Sequence, residues 1–272
     1  MRRLTWFNAT SLTWGFAFLY LPMRIVIIYS FNESRLVTVW GGFSTKWYGE
    51  LFQNEAFLSA AWVTFKVGFF SSIIATVLGT MGAYVLVRGG RFYGRTLFSG
   101  MIYAPLVMPE VITGLSLLLL FISIGLDRGL FTIILAHATF SMCYVSVVVS
   151  SRLVSFDRSV EEAALDLGAT PFEAFRLVTL PIIAPAVISG WLLALTLSLD
   201  DLVIASFVAG PSATTLPIKV FSSIRLGVSP EINALSTILI LIVTVGTVAA
   251  SLTTKRAVMR RQKAEQMADQ SS

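Results

Sequence analysis

Six long apolar runs, separated by short charged stretches, constrain the fold of this chain more than any other feature. They cover approximately residues 11–31, 57–87, 96–126, 131–151, 182–208 and 233–254. A helix needs about 20 mostly apolar residues to cross a bilayer. Charged residues make up 13% of the chain, against about one-quarter in soluble domains. The sequence therefore predicts an all-α polytopic membrane protein, with six transmembrane helices in a single domain over 1–272.

Basic residues in the connecting segments predict the orientation of these helices. One alternating set of segments contains 13 lysines and arginines, and it includes both termini, residues 88–95 and residues 152–181. The opposite set contains five. Cytoplasmic loops carry the excess of basic residues. We therefore expect both termini and the segment 152–181 in the cytoplasm, with the segments 32–56 and 209–232 outside.

The charged segment 152–181 carries the signals of two short helices. Ser159 with Glu162, and Thr170 with Glu173, each place a hydroxyl residue three positions before a glutamate. This spacing is typical of a capping box at a helix N-terminus. Gly168 is the residue type that commonly closes a helix. The sequence predicts two short helices at an angle, the second of which ends at Leu180-Pro181.

The first of these helices has a surface suited to another protein. Ala163 and Ala164 would let a second backbone approach closely, and Glu161 and Glu162 lie beside them, available to basic groups. The alternative is a solvated loop that packs only on its own protein. The two capping patterns, the small residues and the expected cytoplasmic location together favour a docking element.

The stretch "EAALDLG", followed by "VTLP", resembles the EAA motif of ABC importer permeases. In that motif Glu-Ala-Ala precedes a glycine and, further on, Ile-x-Leu-Pro; here Val178 replaces the isoleucine. The resemblance implies a type I importer permease fold, with an EAA coupling helix pair that docks into a cleft of a cytoplasmic ATPase. The residues assigned to coupling are Glu161, Glu162, Ala163, Ala164, Gly168, Leu180 and Pro181.

Further stretches are similar to permeases of the polyamine importers. They are "YAPLVMPEVITGLSLLLLF", "VTVWGGFSTKWYGELF" and "SLDDLVIASFVAGPSATTLPIKVFSSIRLGVSPEINAL". The chain resembles the second permease of the putrescine system, and the spermidine permease shares "SLDD" and "GVSPE". The resemblance implies the bacterial inner membrane and putrescine as cargo, with spermidine next.

The same resemblance implies partners and a division of chemistry. The partners are a homodimeric ATPase in the cytoplasm, a second homologous permease and a periplasmic polyamine-binding protein. The chain lacks Gly-x-x-x-x-Gly-Lys-Ser/Thr, the phosphate-binding loop of many ATPases. ATP and magnesium are therefore expected on the partner, with no cofactor, metal, catalytic residue or nucleic acid assigned to this chain.

Three carboxylates lie inside predicted spans, where ionisable groups usually face a cavity or a partner. Asp200 and Asp201 are adjacent in the fifth span, and Glu110 follows Pro109 in the third. Such carboxylates could replace part of the hydration shell of a cationic amine, so we assign all three to a candidate substrate pathway. The alternative is structural, in which they cap broken helices or pair with Arg24 or Lys66 of other spans.

A repeated proline pattern predicts irregular backbone in the same two spans. Residues 105–114 and 181–190 share Pro-x-x-x-Pro-x-Val-Ile-Thr/Ser-Gly. Proline removes a helical hydrogen bond and clashes with the preceding turn. Kinked or broken helix starts are expected at both places.

Two other functional classes remain as alternatives. An ion-coupled secondary transporter for a small cationic amine would use the intramembrane carboxylates, but it would not need the capped helix pair. An intramembrane enzyme is disfavoured, because the chain has a single histidine, His137, and a single cysteine, Cys143. We expect His137 to be a hydrogen-bonded packing residue.

Overall fold

The computed structural model describes residues 5–36, 39–226 and 229–245. No β-strand occurs in these ranges, apart from one isolated bridge between Asn32 and Phe43. The helices are α1 Trp6–Tyr29, α2 Lys46–Gln53, α3 Glu55–Arg88, α4 Arg95–Val107, α5 Glu110–Ser123, α6 Leu130–Ser155, α7 Ser159–Asp166, α8 Pro171–Ala174, α9 Leu180–Asp200, α10 Val203–Val208, α11 Leu216–Leu226 and α12 Pro230–Val245.

Four described helices are long and apolar enough to cross a membrane. They are Trp6–Tyr29, Glu55–Arg88, Leu130–Ser155 and Pro171–Asp200, and the bent pair α4–α5 makes a fifth if it counts as one span. The sixth predicted span, 233–254, is described only as far as Val245, and its remainder lies outside the described residues. The described part of α12 is shorter than a span. The fold is therefore all-helical and membrane-spanning, with four or five spans in view.

The chain divides into two compact units. The first comprises the described residues of Met1–Glu55 and Ser223–Ser272. In it, the buried side chain of Asn32 donates to Val39 O at 2.7 Å, and Trp47 Nε1 donates to Asn32 O at 2.6 Å. Trp47 and Leu51 bury one face of α2. Helix α1 is apolar but has no buried residue, as is typical of a helix whose surroundings are lipid or another subunit.

The second unit, Ala56–Ser222, holds the main helical packing. Helix α6 lies at its centre and packs against α4, α9 and α10, and α5 packs against α10. Gly79 of α3 faces α6 so closely that a Cβ there would lie 2.6 Å from Met142 O and 2.8 Å from Val145 Cβ. Only a residue without a side chain allows this approach.

The third predicted span is not one straight helix. Helices α4 and α5 meet at an angle of 119°, with the break at Met108-Pro109. Met108 is extended, with φ −80° and ψ 135°. A residue that precedes proline is disfavoured in the helical region, because the proline ring clashes with its backbone. The break predicted from the proline pattern is thus observed in the first of its two copies.

The second copy behaves differently, and the prediction that a helix ends at Leu180-Pro181 is wrong. Helix α8 continues through a π-helical turn, Phe175–Thr179, into α9, so that Pro171–Asp200 is one continuous helix. The Leu180 N–H bonds to Phe175 O, five residues back. This wider turn accommodates the ring of Pro181, which would clash with the carbonyl of a regular α-helical turn. Pro185 also lies inside the helix without breaking it.

The fifth predicted span, 182–208, is interrupted near its end. Helix α9 stops at Asp200, the backbone is extended at Asp201, and α10 begins at Val203. The apolar sequence on both sides gives no sign of this interruption. The interruption places the adjacent carboxylates of Asp200 and Asp201 at the junction between α9 and α10.

Candidate functional site

Helix α7 begins with a different cap from the one its sequence suggests. The Ser159–Glu162 capping box is wrong, because the N-cap position is Arg158 and no cap hydrogen bond comes from its side chain. Instead, the Asp157 carboxylate accepts a hydrogen bond from the Ser159 N–H at 3.0 Å. This bond stabilises the charged carboxylate and lowers the pKa of Asp157 from its ordinary value.

The turn between α7 and α8 is made at Gly168, as the sequence predicts. Gly168 has a φ of +93°, which is the left-handed conformation that favours glycine. Its N–H bonds to Leu165 O at 2.9 Å, and the Ala169 N–H bonds to Ala164 O at 3.1 Å. These two bonds satisfy the last carbonyls of α7 and turn the chain sharply.

The capping box at α8 is present. Thr170 Oγ1 accepts from the Glu173 N–H at 3.3 Å, and Glu173 Oε2 accepts from the Thr170 N–H at 2.8 Å. Pro171 occupies the first turn, where its missing N–H costs nothing. Local sequence therefore fixes both the start of α8 and its angle to α7.

The outer surface of this segment is apolar and unpartnered within the described chain. Leu167 is 90% exposed, and Ala163 and Phe172 are also exposed. Glu162 is exposed beside them and lies 3.1 Å from Arg158, with both side chains more than half accessible. An exposed apolar patch with a charged rim is typical of a protein–protein interaction site.

Glu161 is placed differently from the expectation that it is available to another protein. Its side chain is only 10% exposed, and its Oε2 lies 2.8 Å from Arg88 Nε. Its Oε1 accepts a hydrogen bond from Thr179 Oγ1 at 2.7 Å. The two adjacent glutamates therefore differ in their surroundings, since Glu162 faces outward and Glu161 contacts Arg88 of α3 and Thr179 of the π-helical turn.

Leu180 and Pro181 also differ from the surface residues of the motif. Leu180 is half-buried and packs against the cluster of Val145, Val149 and Ile183. Pro181 is exposed in the first turn of α9, just after the π-helical turn. Both belong to the continuous helix that leads away from the exposed surface of α7 and α8.

A buried polar network lies at the junction between α9 and α10. Ser71 Oγ donates to Ser198 Oγ at 3.0 Å, and Ser198 Oγ lies 2.6 Å from His137 Nδ1. His137 Nε2 lies 3.0 Å from Asp201 Oδ2, without the alignment of a hydrogen bond. His137 is thus a buried, partnered packing residue that joins α6 to α9 and the junction.

Both carboxylate oxygens of Asp201 accept hydrogen bonds at this junction. Its Oδ1 accepts from the Ile204 N–H at 3.3 Å, and its Oδ2 accepts from the Ala205 N–H at 2.8 Å. These are first-turn donors of α10, which lack partners inside the helix. Asp201 is 8% exposed, so its oxygens stabilise a helix start and are not free for a ligand in this conformation.

Asp200 and Glu110 remain accessible. Asp200 is exposed at the last position of α9, and Glu110 is exposed at the first position of α5. Glu110 lies where a negative charge interacts favourably with the helix dipole. Among the described residues, neither carboxylate forms an ion pair with Arg24 or Lys66, and Lys66 Nζ instead lies 5.2 Å from the Trp62 ring centroid.

The sequence did not single out Arg88, Thr179 or Ser198, although each joins separate helices. Arg88 appeared only as one of the basic residues that set the orientation. The partners of these side chains are remote in sequence, so spacing gave no signal for them. Cys143 is buried, and its Sγ donates to Phe140 O within α6.

The family model of the binding-protein-dependent transport system inner membrane component matches residues 75–261. The chain belongs to this family. The matched range includes the α7–α8 segment and the carboxylates of Glu110, Asp200 and Asp201. Membership of this family, together with the apolar helices, indicates that the chain is a multi-pass transport subunit of the inner membrane.

Several curated relatives are similar over most of the permease. The putrescine transport system permease protein PotI of Escherichia coli (strain K12) is 61% identical over 232 residues, which cover 83% of each chain. The spermidine/putrescine transport system permease protein PotC of the same strain is 44% identical over 237 residues, which cover 87% of this chain and 89% of the relative. The resemblance to polyamine permeases is confirmed.

Solved structures show the same fold at low sequence identity. A bacterial ABC transporter involved in the import of the acidic polysaccharide alginate matches with a TM-score of 0.69 and 18% identity, over 91% of this chain and 94% of that one. The MetNI methionine ABC transporter in an inward-facing conformation matches with a TM-score of 0.58 and 19% identity, over 79% and 99%. The fold is that of ABC transporter permeases.

Proposed function

We propose that this chain is a transmembrane subunit of an ATP-driven polyamine importer and forms the translocation pathway with a second, homologous permease. Putrescine is the proposed cargo, with spermidine next. The observation that carries the proposal is the exposed apolar surface of α7 and α8, which bears Glu162 and Ala163 of the EAA motif. The names of the PotI and PotC relatives support the cargo.

The proposed topology has six spans in a single domain, with both termini and residues 152–181 in the cytoplasm. The excess of basic residues on that side supports it. In this topology the broken pair α4–α5 is the third span, and the segments 32–56 and 209–232 face the periplasm. A polyamine-loaded binding protein would dock on these outer segments.

The mechanism we propose is alternating access. ATP and magnesium bind to the cytoplasmic ATPase homodimer, and its closure moves α7 and α8. The helices that continue from this segment then reorient, and the pathway opens to the periplasm and receives a cation. Hydrolysis resets the ATPase dimer and the permease helices.

Within the pathway we propose different roles for the adjacent aspartates. The exposed Asp200, with Glu110 as a second candidate, would contact the cationic substrate. Asp201 was a candidate for the same role, but its contacts with α10 and His137 support a structural role at the junction. A substrate that loses part of its hydration shell gains most from a carboxylate that no protein group already holds.

The docking proposal is tested by changing the exposed residues of α7. Glu162→Lys together with Ala163→Asp introduces charge and bulk into the surface, so the ATPase should no longer co-purify and substrate-stimulated ATP hydrolysis should be lost. Asp127→Lys, which makes the same charge reversal as Glu162→Lys on an exposed residue between α5 and α6, is the control and should retain the ATPase. Unchanged co-purification and ATP hydrolysis in the double variant would overturn the proposal.

A further inference from the structure

The ion pair between Arg88 and Glu161 joins the end of one long helix to the helix that carries the docking surface. Arg88 is the last residue of α3, and Glu161 is the third residue of α7. The two charged atoms are 2.8 Å apart, and each side chain is 10% exposed. The neighbouring pair of Arg158 and Glu162 is 63% and 60% exposed. Water screens that second pair and leaves it weak, whereas the first is largely shielded.

Arg88 also holds the end of α6. Its Nη2 donates to the Phe156 carbonyl oxygen at 3.2 Å, and its guanidinium carbon lies 5.6 Å from the Phe156 ring centroid. Phe156 directly follows the last residue of α6. One guanidinium therefore contacts the residue at which the chain leaves the central helix to enter α7.

The second oxygen of Glu161 reaches the π-helical turn. Thr179 is fully buried and is the last residue of that turn, and its hydroxyl donates to Glu161 Oε1 at 2.7 Å. At the other end of the same turn, the Phe175 ring meets the Tyr84 ring edge-on, with centroids 4.9 Å apart. Tyr84 lies one helical turn before Arg88 in α3. One end of the π-helical turn thus contacts α3 directly through Tyr84, and the other end is connected to α3 through Glu161 and its ion pair with Arg88.

The Glu161 carboxylate of α7 contacts two other elements, α3 through Arg88 and the π-helical turn through Thr179. A buried ion pair contributes little net stability compared with apolar packing, but the loss of one partner leaves an uncompensated charge. A surface that only had to bind another protein would not need such a connection beneath it. π-Helical turns are rare and frequently occur at functional sites. The arrangement is suited to making α3, α7 and the start of α9 move together.

We propose that Arg88, Glu161 and Thr179 form a link that transmits displacement of α7 to α3 and α9. The proposal rests on the importer function proposed above. In it, Glu161 is a positioning residue that acts through Arg88 and Thr179 and does not itself contact the ATPase. The docking surface of α7 binds the partner, and the link on its inner side converts that movement into reorientation of the spans.

The test uses the complete complex, with the second permease and the ATPase, in proteoliposomes supplied with putrescine-loaded binding protein. The readout is the amount of substrate taken up for each ATP hydrolysed. Glu161→Gln should lower this ratio about fivefold or more, the lower bound of typical coupling between sites, while the ATPase still co-purifies. A merely structural role would lower the yield of assembled complex and leave the ratio unchanged.

Matched variants separate the link from local effects. Thr179→Val removes one hydrogen bond, keeps the ion pair and should lower the ratio in the same direction. Arg88→Gln combined with Glu161→Gln should be no worse than either change alone, because both remove the same link. The control is Arg95→Gln, since Arg95 donates to Leu86 O at the same end of α3 and should leave the ratio at the wild-type value.

The outcomes distinguish this link from the proposed function. A wild-type complex that hydrolyses ATP without uptake, or fails to retain the ATPase, would refute the importer function itself. A coupled wild-type complex with an unchanged ratio in Glu161→Gln and Thr179→Val would overturn the link alone. If Glu161→Gln does not assemble, Thr179→Val decides, because its ion pair is intact.

Discussion

Replacement of Asp201 with alanine should destabilise the permease, whereas the same replacement of Asp200 should not. Asp201 accepts two backbone hydrogen bonds at the start of α10, and loss of such a cap costs about 0.5–2 kcal/mol. Its carboxylate also lies 3.0 Å from the buried His137 Nε2. The buried Nε2 would lose this close contact with the carboxylate, which costs a further 1–3 kcal/mol or so.

The two costs together amount to roughly 1.5–5 kcal/mol. For a chain of this size, each kcal/mol corresponds to about 2–4 °C in melting temperature. We therefore expect Asp201→Ala to lower the melting temperature of the purified complex by about 3–20 °C. Asp201→Asn keeps an oxygen that can accept from the α10 amides, so its decrease should be smaller.

The assay compares thermal unfolding with uptake for both positions. Asp200 is exposed, and a surface substitution usually changes stability by no more than about 0.5 kcal/mol. Asp200→Asn should therefore melt like the wild type but take up less putrescine, because it removes a charge from the proposed pathway. Our assignment of the two aspartates is refuted if Asp200→Asn alone lowers the melting temperature, or if Asp201→Ala leaves it unchanged.

Two glycines give further predictions, each with a different physical cause. Gly168→Ala places a side chain at φ +93° in otherwise open space, which strains the backbone by about 1–3 kcal/mol. The α7–α8 turn should therefore change, and less ATPase should co-purify. The control is Gly100→Ala, because Gly100 lies in a regular helix with open space around it. Full retention of the ATPase by Gly168→Ala would contradict the need for this turn. The valine side chain of Gly79→Val would clash with Met142 O and Val145 of α6. Such overpacking costs about 1–3 kcal/mol or more and should lower the melting temperature. An unchanged melting temperature would show that α3 and α6 are not in the close contact described.

Sequence reasoning succeeded where the determining residues are neighbours in the chain. The Thr170–Glu173 box and the glycine turn at Gly168 need only local partners, and both are present. It failed at the start of α7, where Ser159 and Glu162 fit the pattern but Asp157 supplies the hydrogen bond. Several polar side chains compete for the same first-turn amide, and spacing alone does not decide among them.

Breaks inside apolar runs were only partly predictable. Pro109 gave a signal for the sharp break between α4 and α5, but a similar proline pattern at Pro181 is absorbed by a π-helical turn. The only sequence signal for the interruption after Asp200 was the pair of aspartates itself, for which the structural alternative was the capping of broken helices. In each case tertiary packing decides whether the unpaired backbone groups find other partners.

The different roles of adjacent acidic residues could not be predicted from the sequence. Glu161 and Glu162 are identical residues in one helix, yet Arg88 and Thr179 bury the first and leave the second exposed. His137 and the first turn of α10 likewise separate Asp201 from Asp200. Such assignments depend on side chains from other helices, which no local pattern contains.

The central claim, that this permease belongs to an ATP-driven polyamine importer, is tested most directly by uptake of labelled putrescine into proteoliposomes. The vesicles would contain this chain, the second permease and the ATPase, with the binding protein outside and ATP inside. We expect uptake that requires both ATP and the binding protein and that is lost in the Glu162→Lys/Ala163→Asp variant. Uptake that an ion gradient alone supports, without ATP or the ATPase, would contradict the account.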